Sequence, residues 1–246
     1  PVAPQTQKVV FAYGDTGSVT NIKNLANSSG VVASDVTGVG TARNQLSATS
    51  YGFDKAIFAY GDTGSITNIK NLVNNSGVIA TDASGVGTAH AGGGGAGYGG
   101  DKGIFAYGSD SSGVTNTSNL VSNSGVVSAD VSGVGTARHQ VKGAGYGGDK
   151  AIFTFGGNNG NDEHNLVSNT GVVAADVTGS GSAKERHAVA SYGGDKAISA
   201  FGQSGGAAPF LNIKNLISNQ GVVAADAAGV GTGRDILAAN SYGGDK

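Results

Sequence analysis

The feature that most constrains this chain is an internal repeat of about 47 residues, present five times. An aromatic residue followed by glycine recurs at Tyr13-Gly14, Tyr60-Gly61, Tyr107-Gly108, Phe155-Gly156 and Phe201-Gly202, in steps of 47, 47, 48 and 46 residues. A second anchor recurs at Asp35, Asp82, Asp130, Asp176 and Asp226. Where steps differ by a residue or a few, the change falls in loops, as it must if each copy is one structural unit.

Each copy reads as four short strands. In the second, Ala56 to Tyr60 is a compact β-prone run closed by Gly61, and Ile69 to Val73 forms a second. Asn75-Ser76-Gly77 then makes a turn before Val78-Ile79-Ala80. The fourth run is exemplified by Ala42 to Tyr51 in the first copy. No window carries a capped apolar stripe of helical period, so essentially no helix is expected. A four-stranded unit of this length fits the blade of a propeller. The expected fold is therefore all-β: one domain, residues 1–246, forming a five-bladed β-propeller of four-stranded blades. Its units are expected near 8–54, 55–101, 102–149, 150–195 and 196–246. A ring rather than a linear stack is favoured because neither terminal copy has a polar cap. Residues 8–13 and the segment ending at Tyr242 to Lys246 are complementary parts of one unit, so the N- and C-terminal strands are expected to pair and close the ring.

Composition narrows the chemistry. With 45 Gly the chain could be low-complexity, but its long-range period argues for a fold. The absence of Cys rules out disulfides, zinc–thiolate sites and thiol nucleophiles. The absence of Met suggests a processed or trimmed chain. A net charge of −2 implies no nucleic-acid partner, and no run approaches the 18 apolar residues of a membrane span.

Thr41-Ala42-Arg43, a strand of small residues, Asp54-Lys55 and then Ala56 to Gly61 resemble a degenerate kelch repeat. Only Gly156-Gly157 keeps the paired glycines of that repeat, and its tryptophan is absent throughout. The wording Asn-Leu-Val-Ser-Asn-x-Gly-Val-Val, at 119–127 and 165–173, is similar to repeats in predicted structural proteins of tailed phages, marine ones especially. This second resemblance implies a virion or extracellular location, with other virion or surface proteins and glycans as partners, in a chain able to oligomerise.

Candidate sites divide into four groups. The Gly-x-Gly pairs, such as Gly38/Gly40 and Gly85/Gly87, lack the following helix of a dinucleotide site and read as turns. The recurring Asp reads as a carboxylate capping its own turn. Arg43, His90, Arg138, Lys184 and Arg234 share one repeat position. Placed on one circle they would attract an anion; splayed toward carboxylates they would be structural. The loop after the aromatic-Gly pair diverges most between copies, which makes Asp15, Asp62, Asp110, Asp162, Glu163, His164 and Phe210 candidate binding residues. Asp162-Glu163-His164 is read as an exposed loop cluster. No catalytic constellation, metal pattern or cofactor motif stands out, so the expected role is structural or adhesive and non-catalytic, with a carbohydrate-binding lectin as the alternative.

Overall fold

The computed structural model describes residues 8–157, 160–179, 181–205 and 209–241, and none of these is helical. The chain forms five antiparallel sheets, one per repeat. Sheet A pairs β1 (Val9–Asp15) with β2 (Val19–Ala26). Sheet B orders β3 (Ser47–Tyr51), β4 (Lys55–Ala59) and β5 (Lys70–Val73). Sheet C orders β6 (Gly94–Tyr98), β7 (Lys102–Asp110) and β8 (Gly113–Val121). Sheet D contains β9 (Lys142–Tyr146), β10 (Lys150–Thr154), β11 (Glu163–Val167) and β12 (Val177–Thr178). Sheet E contains β13 (Ala188–Tyr192), β14 (Lys196–Ala200), β15 (Ile213–Ile217) and β16 (Ala227–Ala228).

The fourth expected run, Ala42 to Tyr51, contributes β3, but the third, Val78-Ile79-Ala80 in the second copy, is smaller than the sequence pattern implies. In sheets A, B and C it shrinks to isolated bridges, such as Val73↔Ile79 and Lys70↔Ala83 in sheet B. Its residues are the exposed valines Val31, Val78 and Val126 and their neighbours, at an outer edge with no further sheet to pack on. Among the described residues β1 pairs only with β2, and residues 237–241 form no ladder. The strand expected to pair with Val9-Val10-Phe11 ends near Tyr242, which lies outside the described residues.

The core lies between sheets. Ile57, Ile104 and Ile152 are fully buried, as are Phe105 and Phe153, with Phe58 close behind. Tyr60 meets Phe105 edge-on, and Tyr107 meets Phe153 in the same way, each pair crossing from one sheet to the next. Such pairs contribute about 0.5–1.5 kcal/mol beyond their buried area. Ser199 takes the phenylalanine position in sheet E, where its buried hydroxyl has no hydrogen-bond partner. Phe11, its counterpart in sheet A, is 37% exposed.

The aromatic-Gly pair has a conformational reason to recur. All five aromatics are left-handed, with φ between 51° and 65°, and the following glycine is also at positive φ. A non-glycine residue there costs of order 1–3 kcal/mol and persists only where its surroundings fix it. The kink shifts the register of β1 and β7 and turns the aromatic carbonyl toward the preceding sheet.

Candidate functional site

The recurring basic position is built into the junctions between sheets. At the A/B junction the Arg43 guanidinium lies 4.3 Å over the Tyr13 ring of sheet A. It donates to the Tyr60 carbonyl (2.9 Å), the Thr41 carbonyl (3.1 Å) and Asn71 Oδ1 (2.7 Å). Thr41 donates through both N–H and Oγ1–H to Asp82 of sheet B, which also accepts from Asn71 Nδ2. Partial burial raises the Asp82 pKa. The hydrogen bonds from Thr41 and Asn71, with the nearby Arg43, more than offset this and hold the carboxyl below its ordinary value.

The same clamp recurs around the chain. Arg138 covers Tyr107 and donates to the Phe155 and Thr136 carbonyls and to Asn165 Oδ1, with Asp176 3.7 Å away. Lys184 covers Phe155 and donates to Asn215 Oδ1, while Ser182 binds Asp226. At the B/C junction His90 stacks on Tyr60 at 3.8 Å and contacts the Thr88 carbonyl through Nδ1. Its Nε2 and Asn119 Oδ1 are buried without partners. Arg234 lies over Phe201 and is exposed, and among the described residues its guanidinium bonds only the Thr232 carbonyl.

The structure therefore does not bring the five basic side chains to one opening. Arg43, Arg138 and Lys184 turn toward the Asn and Asp side of a junction, the structural alternative, and none of the five lines the large cavity described below. The recurring Asp also differs from expectation: it caps the preceding copy's Thr or Ser rather than its own turn, because the junction brings that segment's free N–H and hydroxyl against it. The Asn of each Asn-Leu pair, at 24, 71, 119, 165 and 215, was not singled out in the sequence. An amide repeated inside an otherwise apolar strand was the available signal, since a buried polar group needs partners.

One cavity is lined by small residues from every repeat. A cavity of about 1530 Å³ is bounded by Ala48 to Ser50, Gly95 to Gly97, Gly143 to Gly145, Val189 to Ser191 and Ala239 to Ser241, equivalent triplets from all five repeats. Lys8, Lys55, Lys102 and Lys150 also line it, with Asp54 and Asp149. A smaller cavity of about 160 Å³ adjoins it, sharing Ala48, Gly95, Gly143, Val189 and Ala239. Near it the left-handed residues Gln45, Gly92 and Gln140 link neighbouring copies, Gly92 N–H to Gln45 O and Gln140 N–H to Gly92 O.

The divergent loops do not share one structure. Asp15 Oδ1 accepts from Gly17 N–H and Oδ2 from Asn44, Asp62 accepts from Gly64 N–H, and Asp110 accepts from Ser112 N–H. These carboxylates thus order their own turns. Asp62 and Ser109 bridge back to Asn44 and Ala91, beside the left-handed Gln45 and Gly92. Phe210 is 54% exposed and bridges to Gln203. The Asp162-Glu163-His164 cluster is corrected: Asp162 precedes the strand, Glu163 and His164 belong to β11, and His164 is buried. Pairing with Thr154 and Val177 on either side takes His164 into the sheet, and burial lowers its pKa.

No protein-family model matches the chain, and no curated protein matches it. Among the described residues no three His, Asp or Glu side chains cluster as a metal site, and no helix is long and apolar enough to cross a membrane.

Proposed function

We propose that this chain is a non-catalytic binding scaffold: a closed five-bladed β-propeller presenting its divergent loops at one end of the axis, as a structural or adhesion component of a virion or a secreted surface. One observation carries the reading. The junction clamp keeps the same bonds at Arg43 and Arg138 and part of them at His90 and Lys184, while the loops beside it differ in length, turn type and side chains. A frame held constant around variable loops suits recognition of an external partner.

Closure brings sheet E against sheet A. Thr232 and Arg234 offer the donors of a fifth clamp, and Asn24 with Asp35, already bonded to each other, offers its acceptors. Residues 239–241 already line the axial cavity beside Lys8, Val9 and Val10. Because the chain has no Cys, Thr232→Cys with Asp35→Cys gives a clean test. Closure predicts a cross-link within one chain; cross-links only between chains would show an open array.

The functional test replaces the β7–β8 tip, Asp110 to Gly113, with Asp62 to Ser65. Wild type and variant are then screened on a glycan array and against virion and secreted surface proteins. The expected result is an unchanged melting temperature with loss of a wild-type partner. Equal binding by both proteins would remove the loop face from the proposal.

A further inference from the structure

The B/C junction keeps the acceptors of a clamp but lacks its long cation. At three other junctions a cationic nitrogen sits on the Asn Oδ1: Arg43 Nη2 on Asn71, Arg138 Nη2 on Asn165 and the Lys184 ammonium on Asn215. Asn119 is held as Asn71 is. Its Nδ2 donates to Ser128 O and Asp130 Oδ1, where Asn71 Nδ2 donates to Ala80 O and Asp82 Oδ1. Its Oδ1 therefore faces the same place, yet among the described residues it is buried without a donor. His90 is too short to reach it. The Nδ1 of His90 meets the Thr88 carbonyl, which can only accept, so Nδ1 carries the proton. Burial lowers the His90 pKa despite the nearby carboxylates of Asp130 and Asp110. The neutral ring leaves Nε2 as a second buried acceptor without a donor. Gly93 adds room beside it, at a repeat position filled elsewhere by Leu46, Val141 and His187. A Cβ on Gly93 would lie 2.7 Å from Tyr107 O and 3.4 Å from His90 Cδ2, so no side chain comes between that carbonyl and the imidazole edge.

Buried acceptors without a donor are costly, and a group carrying several N–H bonds relieves the cost. We propose that the B/C junction binds one ammonium ion on His90 Nε2, Asn119 Oδ1 and Tyr107 O. Acceptors alone select a donor, and the Asp130 carboxylate, held by Thr88 and Asn119, supplies the opposite charge that a buried cation needs. The molecule already contains the precedent, since Lys184 places an ammonium on the equivalent Asn215. A guanidinium is too large, because the imidazole already stacks on Tyr60 where Arg43 and Arg138 cover Tyr13 and Tyr107. The site lies within one junction and does not depend on the loop reading.

The test is thermal unfolding of full-length wild type and His90→Arg just above neutral pH, in ammonium chloride and in potassium chloride of equal ionic strength. Potassium matches the charge but donates no hydrogen bond. Binding predicts that wild type gains stability in ammonium alone. At ten times the dissociation constant the unfolded-to-folded ratio should fall about 11-fold, a rise of roughly 3–6 °C in melting temperature. His90→Arg puts its own guanidinium on the same acceptors and should lose that rise. Equal responses of wild type to the two salts, as expected if the junction takes up only water, would overturn the proposal. So would a full ammonium response in His90→Arg. Nitrogen NMR of wild type labelled in its histidine rings gives a second reading. The His90 Nε2 resonance should move saturably with ammonium and not with potassium. An Nε2 unmoved by ammonium would overturn the proposal whether or not His90→Arg folds.

Discussion

His90→Arg should stabilise the protein, because the B/C junction is the one formed clamp without a long cation. At the A/B junction the guanidinium makes three hydrogen bonds, to Tyr60 O, Thr41 O and Asn71 Oδ1. His90 makes only the counterpart of the second, to Thr88 O, and leaves Asn119 Oδ1 buried and unpaired. Arginine would add bonds to Tyr107 O and Asn119 Oδ1, each worth about 1.5–3 kcal/mol when the donor is charged. Losing the His90–Tyr60 stack costs about 0.5–1.5 kcal/mol, which a guanidinium over the same ring nearly restores at about 0.5–2 kcal/mol. Burying the guanidinium costs several kcal/mol, partly offset by Asp130, placed as Asp176 is beside Arg138. The net is a gain of about 1–3 kcal/mol, or roughly 3–10 °C in melting temperature for a chain of this size. Urea and thermal unfolding of the two proteins measure it, with the denaturant slope unchanged. A melting temperature equal to or below wild type would refute the clamp as an energetic unit.

Three further outcomes follow from the same geometry. Phe105→Ala removes a fully buried ring that meets Tyr60 at a sheet junction, and should cost about 3–5 kcal/mol in urea unfolding. Gly85→Ala places a Cβ 1.7 Å from Asn68 O, a backbone atom that must move. It should lose at least about 3 kcal/mol or fail to fold, as read by circular dichroism and melting temperature. Lys184 has its pKa lowered to about 8, chiefly by burial, against an unfolded value near 10.5. Between those values the unfolded chain holds the proton that the folded chain has released, so stability should rise with pH from 8 toward 10.5; Lys184→Met should lose that rise, and an identical profile would count against it.

The repeat made the number of units, the all-β class and the buried Ile-Phe pairs legible from sequence, because period-two strands and turn residues act locally. The junctions were less legible. Thr41 and Asp82 are 41 residues apart, and that they meet depends on how two sheets pack, which no local pattern encodes. The repeat showed that Arg43, Arg138 and Lys184 were equivalent, but not whether equivalence meant one circle or separate junctions. His164 was misplaced because its polar neighbours Asn161 and Asp162 resemble a loop, while its strand partners lie on both sides.

Each clamp is split between two repeats, with donors carried by one copy and acceptors by the next. A single copy therefore owns no complete clamp, yet it carries a matching half on either side. A gene duplication that inserted one whole repeat would bring its own connectors and join its neighbours through contacts already in use. Lineages built from this unit can thus change copy number without inventing a new junction.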